Sequence, residues 1–158
     1  SVFIAEVQTH GKGSRGRGWT SPRGIGIWHS ILLKPEISPL EVSQITLVAG
    51  LAVCKAIGLN SMIKWPNDIV INGKKICGIL TEASVNFETG QPEYAVVGIG
   101  INVKSIKNIF PEELMNVATS IEDETGKDPS RAEIIAEILK NIDILTKKQK
   151  RDKNIITE

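Results

Sequence analysis

Asn72-Gly73 stands between two apolar runs, Ile69-Val70-Ile71 and Lys75-Ile76-Cys77-Gly78-Ile79-Leu80. A two-residue hairpin turn needs positive φ at its centre, which Asn and Gly supply at low steric cost, so this dipeptide commits the chain to an antiparallel pair and sets Lys75 just after the turn. A hairpin is not stable alone and must find further strands. A second hairpin is expected to turn near residues 88–92 and to lead into Tyr94 to Val103, a near-continuous apolar run that predicts a central strand buried on both faces. Gly98 and Gly100 interrupt it, marking close approach by another backbone or by a ligand. Residues 2–7 and 25–33 read as two more strands, and residues 62–65 as a short one ended by Pro66.

Helical spacing appears in two places. Ser38-Pro39-Leu40-Glu41 is a capping box with proline at the first helical position, after which Val42, Ile45, Ala49, Val53 and Ile57 line one face until Gly58. Ser130-Arg131-Ala132-Glu133 opens a second helix with Ile134, Ile135, Ile138, Leu139, Ile142 and Leu145 at helical spacing. Pro111 to Leu114 reads as a short helical turn. Hairpin strands with helices packed outside predict an α+β fold, a mixed and mostly antiparallel sheet covered by helices. The 158 residues fit one domain with its own core.

Composition excludes several classes. A formal net charge of +1 announces neither a nucleic-acid nor a membrane partner across the whole surface. Cys54 and Cys77 lack the paired spacing of a metal site and read as reduced core residues. No apolar run is long enough to span a bilayer and no secretory signal opens the chain, so a cytoplasmic protein is expected. The strand-like start and the charged run from Lys147 to Lys153 suggest a piece of something longer.

The loop from Gln8 to Arg23 is long for a connection between strands and needs a reason. Within it, Gly11-Lys12-Gly13-Ser14-Arg15-Gly16-Arg17-Gly18 has four glycines in eight residues and three cations. Such a segment lets backbone N–H groups converge and adds positive charge, a cradle for anions. It is neither a Walker loop, since no Lys-Ser/Thr pair closes it, nor a dinucleotide fingerprint. A solvated loop or an arginine-glycine contact to nucleic acid is the alternative, and read alone the loop favours it.

A second constellation reverses that balance. Ala5-Glu6-Val7-Gln8-Thr9, the glycine-basic loop, Trp19-Thr20-Ser21-Pro22, Lys64-Trp65-Pro66-Asn67-Asp68, Lys75 to Leu80 and Gly98-Ile99-Gly100-Ile101-Asn102 resemble, in order and over most of the chain, the signatures of biotin protein ligases. The resemblance implies a fold related to class II aminoacyl-tRNA synthetases, with biotin, ATP and Mg²⁺ as the small molecules. It implies two steps: formation of biotinyl-5'-AMP, then transfer to a lysine of a biotin carboxyl carrier domain. Family analogy puts Lys75 on the biotin carboxyl and the reacting phosphate. It joins Arg17 as a cation and Asp68 as the group that orients the incoming amine or takes its proton. Gly11, Lys12, Gly13, Ser14 and Arg15 would cradle phosphate, Gln8 would bond biotin, Trp19 would pack on adenine, Asn102 would read the adenine edge, and Asn67 and Asp68 would hold phosphate or metal. Blander readings stand beside these: a solvent lysine after a turn, strand-end polar residues at Gln8 and Asn102, an apolar anchor at Trp19, and a turn at Asn67-Asp68. Lys64 and Trp65 read as a strand lysine and a core tryptophan. His10 and His29 match no catalytic spacing.

The resemblance has departures. The family loop reads Gly-Arg-Gly-Arg where this chain has Gly11-Lys12-Gly13-Ser14, so a fork-shaped donor becomes a point charge and the next cation is lost. A site that retains its adenylate less tightly is expected. The family's upstream serine/threonine-asparagine segment and its small C-terminal β-barrel domain have no counterpart here. Lipoate or octanoate ligase chemistry is the neighbouring alternative, with Lys64 to Asp68 favouring biotin. A nucleic-acid-binding module or an inactive ligase fragment is the alternative of another class. Edge-to-edge homodimers are suggested by the resemblance.

Overall fold

The computed structural model describes residues 1–34 and 42–156. Its elements are β1 (Val2–Ala5), β2 (Gly26–Leu33), α1 (Val42–Ile57), β3 (Met62–Lys64), β4 (Asp68–Ile71), β5 (Lys74–Val85), β6 (Pro92–Asn102), α2 (Ile121–Thr125) and α3 (Arg131–Ile156). The six strands form one sheet in the order β1-β2-β6-β5-β4-β3. Every neighbouring pair is antiparallel. The hairpin at Asn72-Gly73 is present, with φ of 51° and 78° at its two central residues. The second hairpin turns through residues 86–91, where Asn86 Oδ1 accepts from the N–H groups of Glu88 and Thr89 and Gly90 takes a φ of 67°. The capping box at Ser38 to Glu41 lies outside the described residues.

Alternation along the strands divides the sheet into two unlike faces. One carries Ile27 and Ile31 of β2, Val97, Ile99 and Ile101 of β6, Cys77 and Ile79 of β5, and Ile69 and Ile71 of β4. These pack against Ala49 and Val53 of α1 and Ile134 and Ile138 of α3. Burying one such isoleucine side chain is worth about 2 kcal/mol, so this layer is where the fold is held. The opposite face carries Trp28 and Ser30 of β2, Gly98, Gly100 and Asn102 of β6, and Gly78, Leu80 and Glu82 of β5. The expectation that residues 94–103 are buried on both faces is therefore corrected. Ile99 is 2% exposed and Ile101 fully buried, while Gly98 and Gly100 remain partly open. The glycines lengthen the apolar run in sequence but bring no side chain to the second face.

Trp65 also departs from expectation. It is 78% exposed, whereas Trp28 is the buried tryptophan. Trp65 follows β3 at the edge of the sheet, and the cis Trp65–Pro66 bond begins the turn into β4. The helix α2 was not anticipated, since five residues hold too little periodicity to read. Ser120 caps it by accepting from the Asp123 N–H, and Gly126 at a φ of 67° ends it.

Two titratable types lie in or beside the core. His29 falls between Ile27 and Ile31 on the covered face, opposite Ile99, and is 3% exposed with no hydrogen-bond partner for either ring nitrogen. Burial lowers its pKa from 6.5 to about 4. Cys54 and Cys77 are both free, and burial raises both thiols above their ordinary range.

Candidate active site

The glycine-basic loop folds back on itself as a narrow ladder. Gln8 bridges Ser21 and Lys12 bridges Gly18, with Trp19 N–H donating to Gly11 O at 2.8 Å and Gly13 N–H to Arg17 O at 2.7 Å. A Cβ at Gly11 would run into Trp19 O, Gln8 Oε1 and Ser21 Oγ, so only glycine lets the two arms approach this closely. At the tip, Ser14–Gly16 forms a single 3-10 turn in which Arg15 has a φ of 59° and Gly16 a φ of 73°. Arg17 turns back on the loop, donating from Nε to Ser14 O and from Nη2 to Ser14 Oγ, each at 3.3 Å.

The ladder delivers Trp19 to the open face of the sheet. A Cβ at Gly100 would stand 2.5 Å from Trp19 Nε1, and one at Gly78 would stand 2.8 Å from Trp19 Cζ3. The indole thus lies on bare peptide at Gly78 and Gly100; the approach expected there from another backbone or a ligand is made by a side chain, and Gly98 takes no part in it, since a Cβ there would meet only Leu80 O at 3.5 Å and Ser30 Oγ at 3.9 Å. Trp28 meets it edge to face at 6.5 Å between ring centroids. Lys75 Nζ lies 5.0 Å from the centroid of the Trp19 ring and 2.7 Å from Asp68 Oδ1. The carboxylate fixes the ammonium from one side and the indole face supports it from the other.

Lys75 is fixed at its backbone too. Its N–H donates to Val117 O at 2.8 Å, and its carbonyl accepts from Thr119 N–H at 2.9 Å. The same residue holds Asn102, whose Nδ2 donates to Thr119 O at 3.0 Å, leaving a buried Oδ1 with no partner. Asn67 ties the turn before β4 to β5 by donating from Nδ2 to Ile79 O at 3.0 Å and accepting from Ile79 N–H at 2.8 Å. Gln8 Oε1 accepts from Ser21 Oγ at 2.7 Å.

These parts surround a cavity of about 230 Å³. Of the residues expected from sequence, Gln8, Lys12, Gly13, Ser14, Trp19, Asn67 and Lys75 line it. Asp68 reaches it through Lys75, and Asn102 follows Gly100 along the same face of β6. Gly11 shapes the ladder behind the wall. Arg15 and Arg17 are exposed and do not line the cavity. Sequence reading missed Trp28, Ser30, Leu80, Glu82 and Val96, which also line it. The signal was available: on β2 and β5, every second residue from Trp28 and from Gly78 faces the same way as the glycines. Among the described residues, no three His, Cys, Asp or Glu side chains come together as a metal-binding group.

The chain is also similar to known proteins. The model of the biotin/lipoate A/B protein ligase family matches residues 1–102. The bifunctional ligase/repressor BirA of Bacillus subtilis is 43% identical over 143 residues, covering 88% of this chain and 43% of that protein. The biotin--[acetyl-CoA-carboxylase] ligase of Mycobacterium tuberculosis is 33% identical over 150 residues, 90% of this chain and 52% of its own length. The chain thus spans about half the length of these relatives. Among solved structures, biotin protein ligase from Aquifex aeolicus in complex with biotin and ATP superposes with a TM-score of 0.78 at 37% identity, over 93% of this chain and 60% of that one. With the family model matching well over half of its residues and relatives of this identity covering most of it, the chain belongs to the biotin/lipoate A/B protein ligase family.

Proposed function

We propose that this chain is the catalytic part of a biotin protein ligase, which activates biotin with Mg·ATP to biotinyl-5'-AMP and passes the biotinyl group to a lysine of a carboxyl carrier domain. The observation that carries the reading is Lys75, held by Asp68 and the Trp19 ring at the wall of a glycine-floored cavity. In the first step a carboxylate oxygen bonds to the α-phosphorus of ATP and pyrophosphate leaves. Charge grows on oxygens between two anions, and a fixed ammonium at that point stabilises it more than it stabilises the separated reactants. Lys12 adds a second cation at the cavity wall, and Gly13 brings backbone within reach of phosphate.

The base is read by Asn102. Because its Nδ2 is occupied by Thr119 O, the free Oδ1 presents an acceptor, which suits the exocyclic amine of adenine. Gln8 keeps its amide for the ureido ring of biotin, and Trp19 offers its indole to the nucleotide. Mg²⁺ is assigned to the nucleotide, as part of the substrate. In the second step the acceptor lysine attacks the acyl carbon, AMP leaves, and Asp68 is the carboxylate assigned to the amine proton.

Free thiols and the use of ATP fit the cytoplasm, and among the described residues no helix is long and apolar enough to cross a membrane. The open edge of β1, with Phe3 and Ile4 each 60% exposed, is the surface on which we place an edge-to-edge homodimer.

The test is direct. The purified chain is incubated with Mg·ATP and either biotin or lipoate, quenched, and assayed by mass spectrometry for acyl-adenylate and pyrophosphate. Biotin-dependent product is expected. Product with lipoate alone would move the assignment to the neighbouring acid, and no product with either from folded protein would reject it.

A further inference from the structure

Lys75 lines the cavity from β5 and Asn102 lies buried beside it on β6, next but one to the cavity-lining Gly100, and what fixes their relation lies beyond the residues that the family model matches. Residues 115–119 run along the β4–β5 hairpin as a strap. Met115 O accepts from Lys74 Nζ at 2.8 Å, Val117 O and Thr119 N–H bracket the backbone of Lys75, and Thr119 O holds the amide of Asn102. A single carboxylate closes the strap. Glu124, on α2, accepts from Thr119 Oγ1 at 2.6 Å through Oε1 and from Asn72 Nδ2 at 2.7 Å through Oε2.

We propose that Glu124 is a positioning residue for adenylate formation, joining the Asn72 turn that precedes Lys75 to the Thr119 backbone that orients Asn102. This rests on the ligase reading above. The carboxylate suits the task because it accepts at both oxygens and donates at neither, so it takes two donors from separate elements at once. Asn72 has a φ of 51°, and the hairpin passes from that turn into Lys75 within three residues, so fixing its side chain limits how the turn can twist. Thr119 is 4% exposed, so its hydroxyl has little water to turn to if the carboxylate is lost.

The test removes both bonds and then returns a side chain able to make them. Glu124→Ala loses both, whereas in Glu124→Gln the amide still bonds Thr119 and Asn72, because a hydroxyl and an amide can each turn to donate or to accept. With biotin and Mg·ATP, Glu124→Ala is expected to lower kcat for adenylate formation and raise KM for ATP, together roughly five- to tenfold in kcat/KM. Glu124→Gln is expected to recover most of that loss. Amide exchange at Lys75 and Thr119, followed by NMR without substrate, is expected to speed up in Glu124→Ala and to stay near the parent's in Glu124→Gln. Parent-like kinetics and exchange in Glu124→Ala, or no recovery in Glu124→Gln, would overturn the proposal. A parent chain that makes no adenylate would defeat the ligase reading, and the exchange data alone would then decide whether Glu124 holds the strap.

Discussion

At the scale of single residues, Lys75 and Ser14 make opposite kinds of prediction. Lys75 is held by Asp68, by the Trp19 ring and at its backbone, and in the proposed reaction its removal leaves the developing phosphate charge without its fixed cation. Lys75→Ala is expected to slow adenylate formation roughly 10²- to 10³-fold, measured as pyrophosphate release in a single turnover. Unchanged turnover would remove Lys75 from the mechanism. Ser14 stands where the family loop has an arginine, and it lines the cavity while holding Arg17 through its carbonyl and hydroxyl. Replacing Ser14 with Arg is expected to slow dissociation of biotinyl-5'-AMP. Equal off-rates for parent and variant would show that the missing charge does not matter. The place of Lys75 on the cavity wall was legible because the Asn72-Gly73 turn sets it there, whereas Asn102 lies buried and does not line the cavity. The turning of Arg17 toward Ser14 was not, because no sequence pattern encodes where a long exposed side chain rests.

At the scale of elements, the glycines of β5 and β6 make a floor and the ladder lays Trp19 upon it. Gly100→Ala is expected to push the indole aside, because the new methyl would stand 2.5 Å from Trp19 Nε1 with backbone behind it. Weaker ATP binding and a shift in tryptophan emission are the expected signs. Binding and emission like the parent's would mean that the loop moves freely enough to absorb a methyl group. The hairpins, the two long helices and the antiparallel sheet could be read in advance because turn chemistry and periodicity are local. The strap at residues 115–119 could not. It bonds through main-chain groups at isolated positions, including a lone parallel bridge between Lys75 and Ala118, and main-chain bonding leaves no trace in side-chain pattern. Trp65 was misjudged for a related reason, since large aromatic character says nothing of whether an edge turn carries it outward.

At the scale of the whole molecule, His29 makes stability depend on pH. Its folded pKa is lowered to about 4 from 6.5, so between those values the unfolded chain binds the proton and the folded one does not. Stability is therefore greatest above 6.5 for this group and falls as pH drops from 6.5 toward 4, by at most on the order of 3 kcal/mol. His29→Leu, which suits the neighbouring isoleucines, is expected to flatten the urea midpoint between pH 7.5 and pH 4.5 relative to the parent. An unchanged slope would place the acid sensitivity elsewhere. From sequence His29 read only as a histidine without catalytic spacing; its place between Ile27 and Ile31 on the core face and the lack of a hydrogen-bond partner for its ring needed the fold.

The strap has a consequence for how the molecule can be taken apart. Asn108 sits on an exposed turn at a φ of 62°, after the last strand and before residues 115–119. A cut there would leave every recognisable motif on one piece. The other piece would hold Thr119, Glu124 and the α3 isoleucines that cover the sheet. Neither half could bury its own apolar face, so the two would need each other for structure as well as for chemistry. On the proposed ligase reading, such halves fused to two proteins that meet would form a complementation pair whose output is a covalent label, silent until the encounter reassembles the floor, the strap and Lys75.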